Sequence, residues 1–559
     1  MTEQTSARIP SAIDAVAERW VDTLTTLSPV LATYIGRDDS GGALDDVSPA
    51  GHEQLIAEVR RTLRELESAE PVDHVDVVTK ADLSSELQLS LDLHDAQWHL
   101  RDLNVLASPA QDFRQIFDLM PTASEQDWAV ISARLGAVAG AVDGYQQTLR
   151  EGIAQGVVPA VRQVSEVAQQ VARYGAADGF FATFIGQTVA PDAALSEGLS
   201  RDLENAATAA ATAYGQLAEF LTTELAPAAT EHDAVGRDVY ALHCRRFLGA
   251  VIDLDETYEW GREELARMVA EQEATAHEIL PGATVEEAVA HLEADSSRKL
   301  VGTAALQEWM QQTSDRAVQE LGESHFDIPE PIRALECMIA PTQEGGIYYT
   351  GPTDDFSRPG RMWWSVPEGV TEFDTWRELT TVYHEGVPGH HLQIAQAVYN
   401  RDTLNSWRRL LAGTSGHAEG WALYAERLME ELGYLNDPAD RLGMLDGQRM
   451  RALRVVLDIG VHLGKPRLDG EGVWDYGYAR EMMREHVNMP EEFRRFEVYR
   501  YLGWPGQAPS YKVGQRIWEQ VRDAVREQQG AAFSMKKFHQ QALNVGGVGL
   551  DTLRTALLQ

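Results

Sequence analysis

Over most of this chain, apolar residues recur at three- and four-residue steps. That is the period of an α-helix buried along one face. In "GHEQLIAEVRRTLRELESA", Leu55, Val59, Leu63 and Leu66 share such a face. "TASEQDWAVISARLGAVAGAVDGYQQTLREGI" opens with Thr122 and Glu125 at capping-box spacing and runs on as a long helix. "RDLENAATAAATAYGQLAEFLTTEL" is alanine-rich, reads as helix and stops at Pro227. The exception is residues 331–367, where "PIRALECMIAP", "GGIYYTG" and "RMWWSVP" are short runs rich in β-branched and aromatic residues, bounded by Gly and Pro. They predict a small sheet, after which "FDTWRELTTVYHE" resumes the helical pattern. The expected fold is mainly α, a large helical body with a small β-sheet. A helical N-terminal region, 1–330, and a region 331–559 that holds the sheet are expected to form one continuous body, because no repeat and no long linker separates them.

Composition limits the partners. A formal net charge of −38 over 559 residues repels phosphates and anionic lipid, so neither nucleic acid nor a membrane is expected as partner. The two cysteines, Cys244 and Cys337, lie far apart, make no ligand pattern and fit a reducing compartment. The opening "MTEQTSARIPSAIDAVAERW" has neither a basic n-region nor an apolar h-region. The most apolar stretch, "VISARLGAVAGAV", is short and carries Arg134, so no transmembrane helix is expected. Together these features predict a cytoplasmic protein, and none indicates a homo-oligomer.

The chemistry concentrates in "TVYHEGVPGHHLQ". His384-Glu385 looks like the start of H-E-x-x-H, in which two histidines one helical turn apart bind one zinc and the glutamate faces its water. Position 388, where the second histidine belongs, is Pro388. In an unbroken helix His390 would point away, and His391 would lie about 10 Å along the axis. Gly386, Pro388 and Gly389 do not allow an unbroken helix. If "GVPG" bulges by two residues, His390 takes the place normally held one turn after His384. The residues that spoil the regular motif are those a bulged version needs.

A catalytic zinc requires a third protein ligand and an open position. "TSGHAEGWALYAERLMEELG" reads as a helix with Trp421, Tyr424, Leu428 and Leu432 as its apolar stripe, and with Glu419 and Glu426 two turns apart. Glu419 lies among Gly416, Ala418 and Gly420, where another helix can come close. A His-Glu helix followed by a Glu-bearing helix is the layout of the gluzincin peptidases. Glu419 is the chosen ligand. Glu426 is the residue expected to orient a histidine and stands in reserve as a ligand.

"HEGVPGHHLQ", "GHAEGWALYAE" and "YLGWPGQAPSYKVG" together resemble the bacterial domain-of-unknown-function family numbered 885, grouped with zincin-like metallopeptidases. "SPVLATYIGRDDSGGALDDVSP" and "YYTGPTDDFSRPGRMWW" extend the resemblance over most of the chain. It implies His384, His390 and Glu419 as the metal set, since the family varies at the position of His391. It also implies a helical body with a deep cleft, gluzincin- or oligopeptidase-like.

Tyr511 follows a Gly- and Pro-rich loop at a helix start. It reads either as donor to the oxyanion of a scissile carbonyl or as a core tyrosine, and the resemblance favours the first. Arg500 and Lys512 read either as anchors for a substrate carboxylate or as surface ion pairs. His462, one turn after Asp458, reads as cleft lining or as structure. "GGIYYTG" or "RMWWSVP" is expected to supply a sheet edge that captures peptide backbone. The reading is a hydrolase with one zinc per chain that acts on short peptides, with Glu385 as general base. Two alternatives stay open: a non-catalytic peptide-binding protein, and a hydrolase of non-peptide amides.

Overall fold

A computed structural model describes residues 8–37, 40–188, 195–340 and 346–559. The helical period becomes long helices packed side by side. The Glu125–Gln155 helix buries Trp128, Ile131, Leu135, Val138, Val142, Tyr145 and Leu149. They pack on Leu203, Ala210, Tyr214 and Leu217 of the Glu197–Phe220 helix. The capping box of the first helix is Ser124 with Asp127, two residues on from the expected Thr122 with Glu125. Both outer residues have other partners. The carbonyl of Thr122 accepts from the Trp128 indole at 3.1 Å, and Glu125 accepts from the Ser196 amide at 3.2 Å. The alanine-rich helix widens into a π turn at Leu221–Leu225, just before Pro227.

The second half of the chain builds the largest core. The Pro438–Leu463 helix packs against both Leu254–Ile279 and Thr375–Glu385. Ser415–Glu431 lies along Ser510–Gln529. Of the expected stripe, Trp421, Tyr424 and Leu428 are in the core, at 0%, 1% and 2% exposed, while Leu432 caps the helix end and is half-buried against it. The small residues around Glu419 do what their size permits. A Cβ on Gly420 would sit 2.4 Å from the carbonyl carbon of Gly514, and one on Gly514 would sit 2.3 Å from the carbonyl oxygen of Gly416. The two backbones therefore touch at the position of Glu419.

The sheet forms where β-branched and aromatic runs were read. β1 (Lys299–Val301), β2 (Leu335–Ile339), β3 (Ile347–Thr350), β4 (Gly360–Trp364) and β5 (Glu372–Asp374) make two small sheets. In the larger, β4 is central, parallel to β2 and antiparallel to β3. "RMWWSVP" is thus corrected as a candidate edge, because both sides of β4 are already hydrogen-bonded. β3 remains an edge. The β1–β5 ribbon escaped the sequence reading, since three-residue strands are too short to show a period. β5 runs directly into Thr375–Glu385, which fixes where that helix starts. No helix among the described residues is long and apolar enough to cross a membrane.

Gly420→Ala is expected to lower stability by about 1–3 kcal/mol through overpacking, although alanine is the better helix former by about 1 kcal/mol. Denaturant unfolding checks it. An unchanged or raised midpoint would contradict the close helix approach.

Candidate metal centre

The chain around Pro388 is broken rather than bulged. One helix ends at Glu385 and the next begins at His390. Across the break the Gly389 amide donates to the Tyr383 carbonyl, six residues back, at 3.1 Å, and the His391 amide donates to Gly386, five back, at 3.1 Å. A regular helix steps four, so the first bond takes up two extra residues. Only glycine fits at both ends of the loop. A Cβ on Gly389 would lie 1.9 Å from the His384 carbonyl oxygen, and one on Gly386 would lie 2.6 Å from that of Val382. The Trp421 indole holds the loop from the neighbouring helix, donating to the carbonyls of Pro388 (2.9 Å) and Gly389 (3.2 Å).

The break turns His390 toward His384, with ring centroids 4.8 Å apart and planes nearly perpendicular. Glu419 comes in from the next helix. Its Oε2 stands 3.3 Å from His384 Nε2 and 3.6 Å from His390 Nε2. These three residues each offer one ligand atom, all within 4.8 Å of one another, and could hold a metal ion. Two ligands of a tetrahedral zinc at about 2.0–2.2 Å lie about 3.3–3.6 Å apart. Although near both imidazoles, Glu419 Oε2 makes no hydrogen bond to either. Atoms this close that are not aligned on each other fit lone pairs that converge on a shared cation.

Glu426 takes a different position. It accepts from His384 Nδ1 at 2.7 Å, which fixes the ring orientation so that Nε2 is the nitrogen presented toward Glu419. Its other oxygen accepts from Gln448 at 3.2 Å. Gln448 accepts from Lys512 at 2.5 Å, and Lys512 pairs with Glu264 at 2.9 Å. Burial works against a charge on His384, but Glu419 and Glu426 outweigh it and lift the imidazole to about 10. Burial likewise opposes ionisation of Glu419, yet the two imidazoles hold it well below the usual carboxylate range. The pocket is built to face positive charge. Glu385, beside the first histidine, is 6% exposed, is pushed up by burial and has its Oε2 unpartnered.

His391 points elsewhere. Its Nε2 donates to the Ile332 carbonyl at 2.6 Å, so its Nδ1 accepts from the Tyr349 hydroxyl at 2.9 Å. Tyr511 is the second residue of the Ser510–Gln529 helix, lies near Arg454 and Arg451, and is pushed up by burial and then by the charge of Glu419. Arg500 and Lys512 are neither surface groups nor free. Arg500 binds Glu497 at 3.0 Å and Gln507 at 2.6 Å, and Lys512 is 1% exposed in the relay above. His462 donates to the Tyr501 carbonyl at 3.1 Å and stands 3.8 Å from Asp458, too far for a hydrogen bond. Asp458 instead accepts from Tyr240 at 2.7 Å and the Gly506 amide at 2.8 Å, so this pair is structural.

Gln448 and Arg451 were missed by sequence reasoning. The Pro438–Leu463 helix offered a signal in Arg454, Asp458 and His462, polar residues at four-residue spacing inside an apolar run.

The mainly helical fold and its buried His-His-Glu centre define a candidate metalloprotein. Residues 29–557 match the bacterial proteins of unknown function called DUF885, and the chain belongs to that family. It is similar to the solved structure of a protein provisionally named a lipoprotein from Colwellia psychrerythraea, at 22% identity and a TM-score of 0.84, with 98% of each chain covered. A second, provisionally named a lipoprotein of unknown function, from Shewanella oneidensis, is 17% identical with a TM-score of 0.75 and covers 98% of this chain and 100% of its own. At such identities the likeness shows the fold. A carboxypeptidase from Pyrococcus furiosus, 13% identical over 91% of this chain and 95% of its own, has a TM-score of 0.35, too low to show fold or chemistry. No curated protein matches the chain.

The lipoprotein names of the two structures that share the fold overturn the cytoplasmic assignment. The cysteine count could not support it. Cys244 and Cys337 are both free and buried, with their thiols pushed up by burial, and behave as core residues in any compartment.

His390→Ala should abolish tight metal binding while His391→Phe retains it. Glu426→Ala should weaken binding only about 10–100-fold, as loss of an orienting partner does, and Glu419→Ala should weaken it more. Metal titration of the four variants decides, and a reversed order in either pair contradicts the geometry.

Proposed function

We propose that the chain is a zinc-dependent hydrolase of short peptides. One observation carries the reading: two imidazoles and a carboxylate offer ligand atoms within 4.8 Å of one another, directly beside a buried glutamate with a free oxygen. A two-nitrogen, one-oxygen set with three protein ligands is the donor chemistry of catalytic zinc, and it leaves a position open. The His-Glu helix followed by a Glu-bearing helix is the gluzincin layout. In this reading residues 331–559 form the catalytic region, supported across the boundary by Glu264 at Lys512.

When bound, zinc supplies Lewis acidity, polarising a carbonyl and acidifying water. The chain's own groups do the rest. Glu426 holds His384 in one orientation. Glu385 accepts the proton of the attacking water and passes it to the leaving amine. Tyr511 donates to the oxyanion that develops on the scissile carbonyl. Narrow access favours short substrates, since the His384 and His390 side chains are 6% and 10% exposed and that of Glu419 is 23% exposed.

Zinc-loaded protein should cleave members of a mixed short-peptide library read by mass spectrometry. Glu385→Gln should keep its metal and lose about 10²–10⁴-fold in rate. Tyr511→Phe should keep its metal and lose about 10²–10³-fold. Wild type that is fully loaded yet cuts nothing contradicts the peptidase reading, and a Glu385→Gln variant as fast as wild type places the activity elsewhere.

A further inference from the structure

The Pro438–Leu463 helix brings a second functional group to the centre. Arg451 lies three residues, close to one turn, after Gln448, the residue that holds Glu426. Its guanidinium is 6.0 Å from the ring centroid of Tyr511. Arg454, from the next turn, is 5.0 Å from the same ring. Arg451 nevertheless has no ion pair and no hydrogen bond among the described residues, and its buried Nε is unpartnered.

Its neighbours show how unusual that is. Arg454 donates to the Tyr501 hydroxyl at 2.7 Å and to Glu497 at 2.8 Å. Arg500 shares the same carboxylate. One glutamate thus answers two guanidinium groups, while the third makes no ion pair and feels only the longer-range charge of Glu426 and Glu385, in a chain whose net charge is −38. A half-buried, unpaired guanidinium is costly. The acidic groups nearby are committed to the histidines or to proton transfer. The chemistry that would satisfy Arg451 is a planar carboxylate arriving from outside, which its fork can bind through two parallel hydrogen bonds.

We infer that Arg451 anchors the terminal carboxylate of a bound peptide, which makes the centre an exopeptidase site working from the C-terminal end. The inference rests on the peptidase reading above for the reaction, but the carboxylate site itself can be tested without turnover. Arg451 replaces Arg500 and Lys512 in this role, because both of those are engaged within the protein.

The test uses Glu385→Gln protein, immobilised and zinc-loaded, with two mixed tetrapeptide libraries that differ only in a free or an amidated C-terminus. Retention is read by mass spectrometry. The acid library should be held about 10–100-fold more tightly, the range of a hydrogen-bonded charge. Glu385→Gln/Arg451→Gln should lose that preference, and Glu385→Gln/Arg451→Lys, which keeps the charge without the fork, should keep part of it. Thermal melts confirm that the variants are folded, and the lysine variant decides if the glutamine one is not. Equal retention of both libraries, no retention of either, or a preference that survives Arg451→Gln overturns the inference. So does a preference that follows internal Asp or Glu in amidated peptides, which would assign the arginine to side-chain carboxylates. An acid preference in a chain that cuts nothing would sink the peptidase reading and leave the carboxylate site standing.

Discussion

The hydrogen bond from the Gly389 amide to the Tyr383 carbonyl is the contact on which the centre depends. It closes a loop six residues back rather than four and so hides two residues of chain. With them hidden, His390 meets His384 in place of the residue a regular helix would present. The loop admits no side chain at Gly389, and it is braced from outside by the Trp421 indole. Trp421 lies on the helix that also supplies Glu419. The same helix therefore shapes the break and delivers Glu419, so the two histidines and the glutamate are positioned as a unit.

Charge explains much of the surrounding architecture. Three glutamates and two histidines at low exposure would repel or titrate one another without compensation. The structure answers with a relay from Glu426 through Gln448 and Lys512 to Glu264, which ties four helices together beneath the centre. Lys512 sits low, at about 8, because burial disfavours its charge. Its ion pair with Glu264 is thus a support for the site rather than a surface feature. On the opposite side, arginines gather around Tyr511. Arg454 and Arg451 lie 5.0 and 6.0 Å from its ring centroid, and its own ionisation is opposed by burial and by the charge of Glu419.

Much of this could be read in the residues. Period 3.6 marked the long helices, and the Gly- and Pro-bounded aromatic runs marked β2, β3 and β4. The conflict between Pro388 and the metal motif pointed to an irregular backbone, and small residues around Glu419 pointed to a helix contact that Gly514 provides. What stayed hidden depended on distance in sequence. Nothing local to Gln448 ties it to Glu426, and nothing local to Lys512 shows that Glu264, far back in the chain, pairs with it. The β1–β5 ribbon pairs residues some seventy apart through strands of three. The Thr122–Glu125 box gave way to Ser124 with Asp127, and Glu125 instead accepts from the distant Ser196 amide, a contact only packing decides. The compartment was misjudged because two buried cysteines carry no redox information.

The most direct test of the account is anomalous diffraction at the zinc edge from crystals of the zinc-loaded chain. The account predicts one strong peak per chain, about 2.0–2.2 Å from His384 Nε2, His390 Nε2 and a Glu419 oxygen, with Glu426 bonded to His384 and not to the ion. A peak ligated by His391 or Glu426 in place of these, or no peak between the two helices, would contradict it.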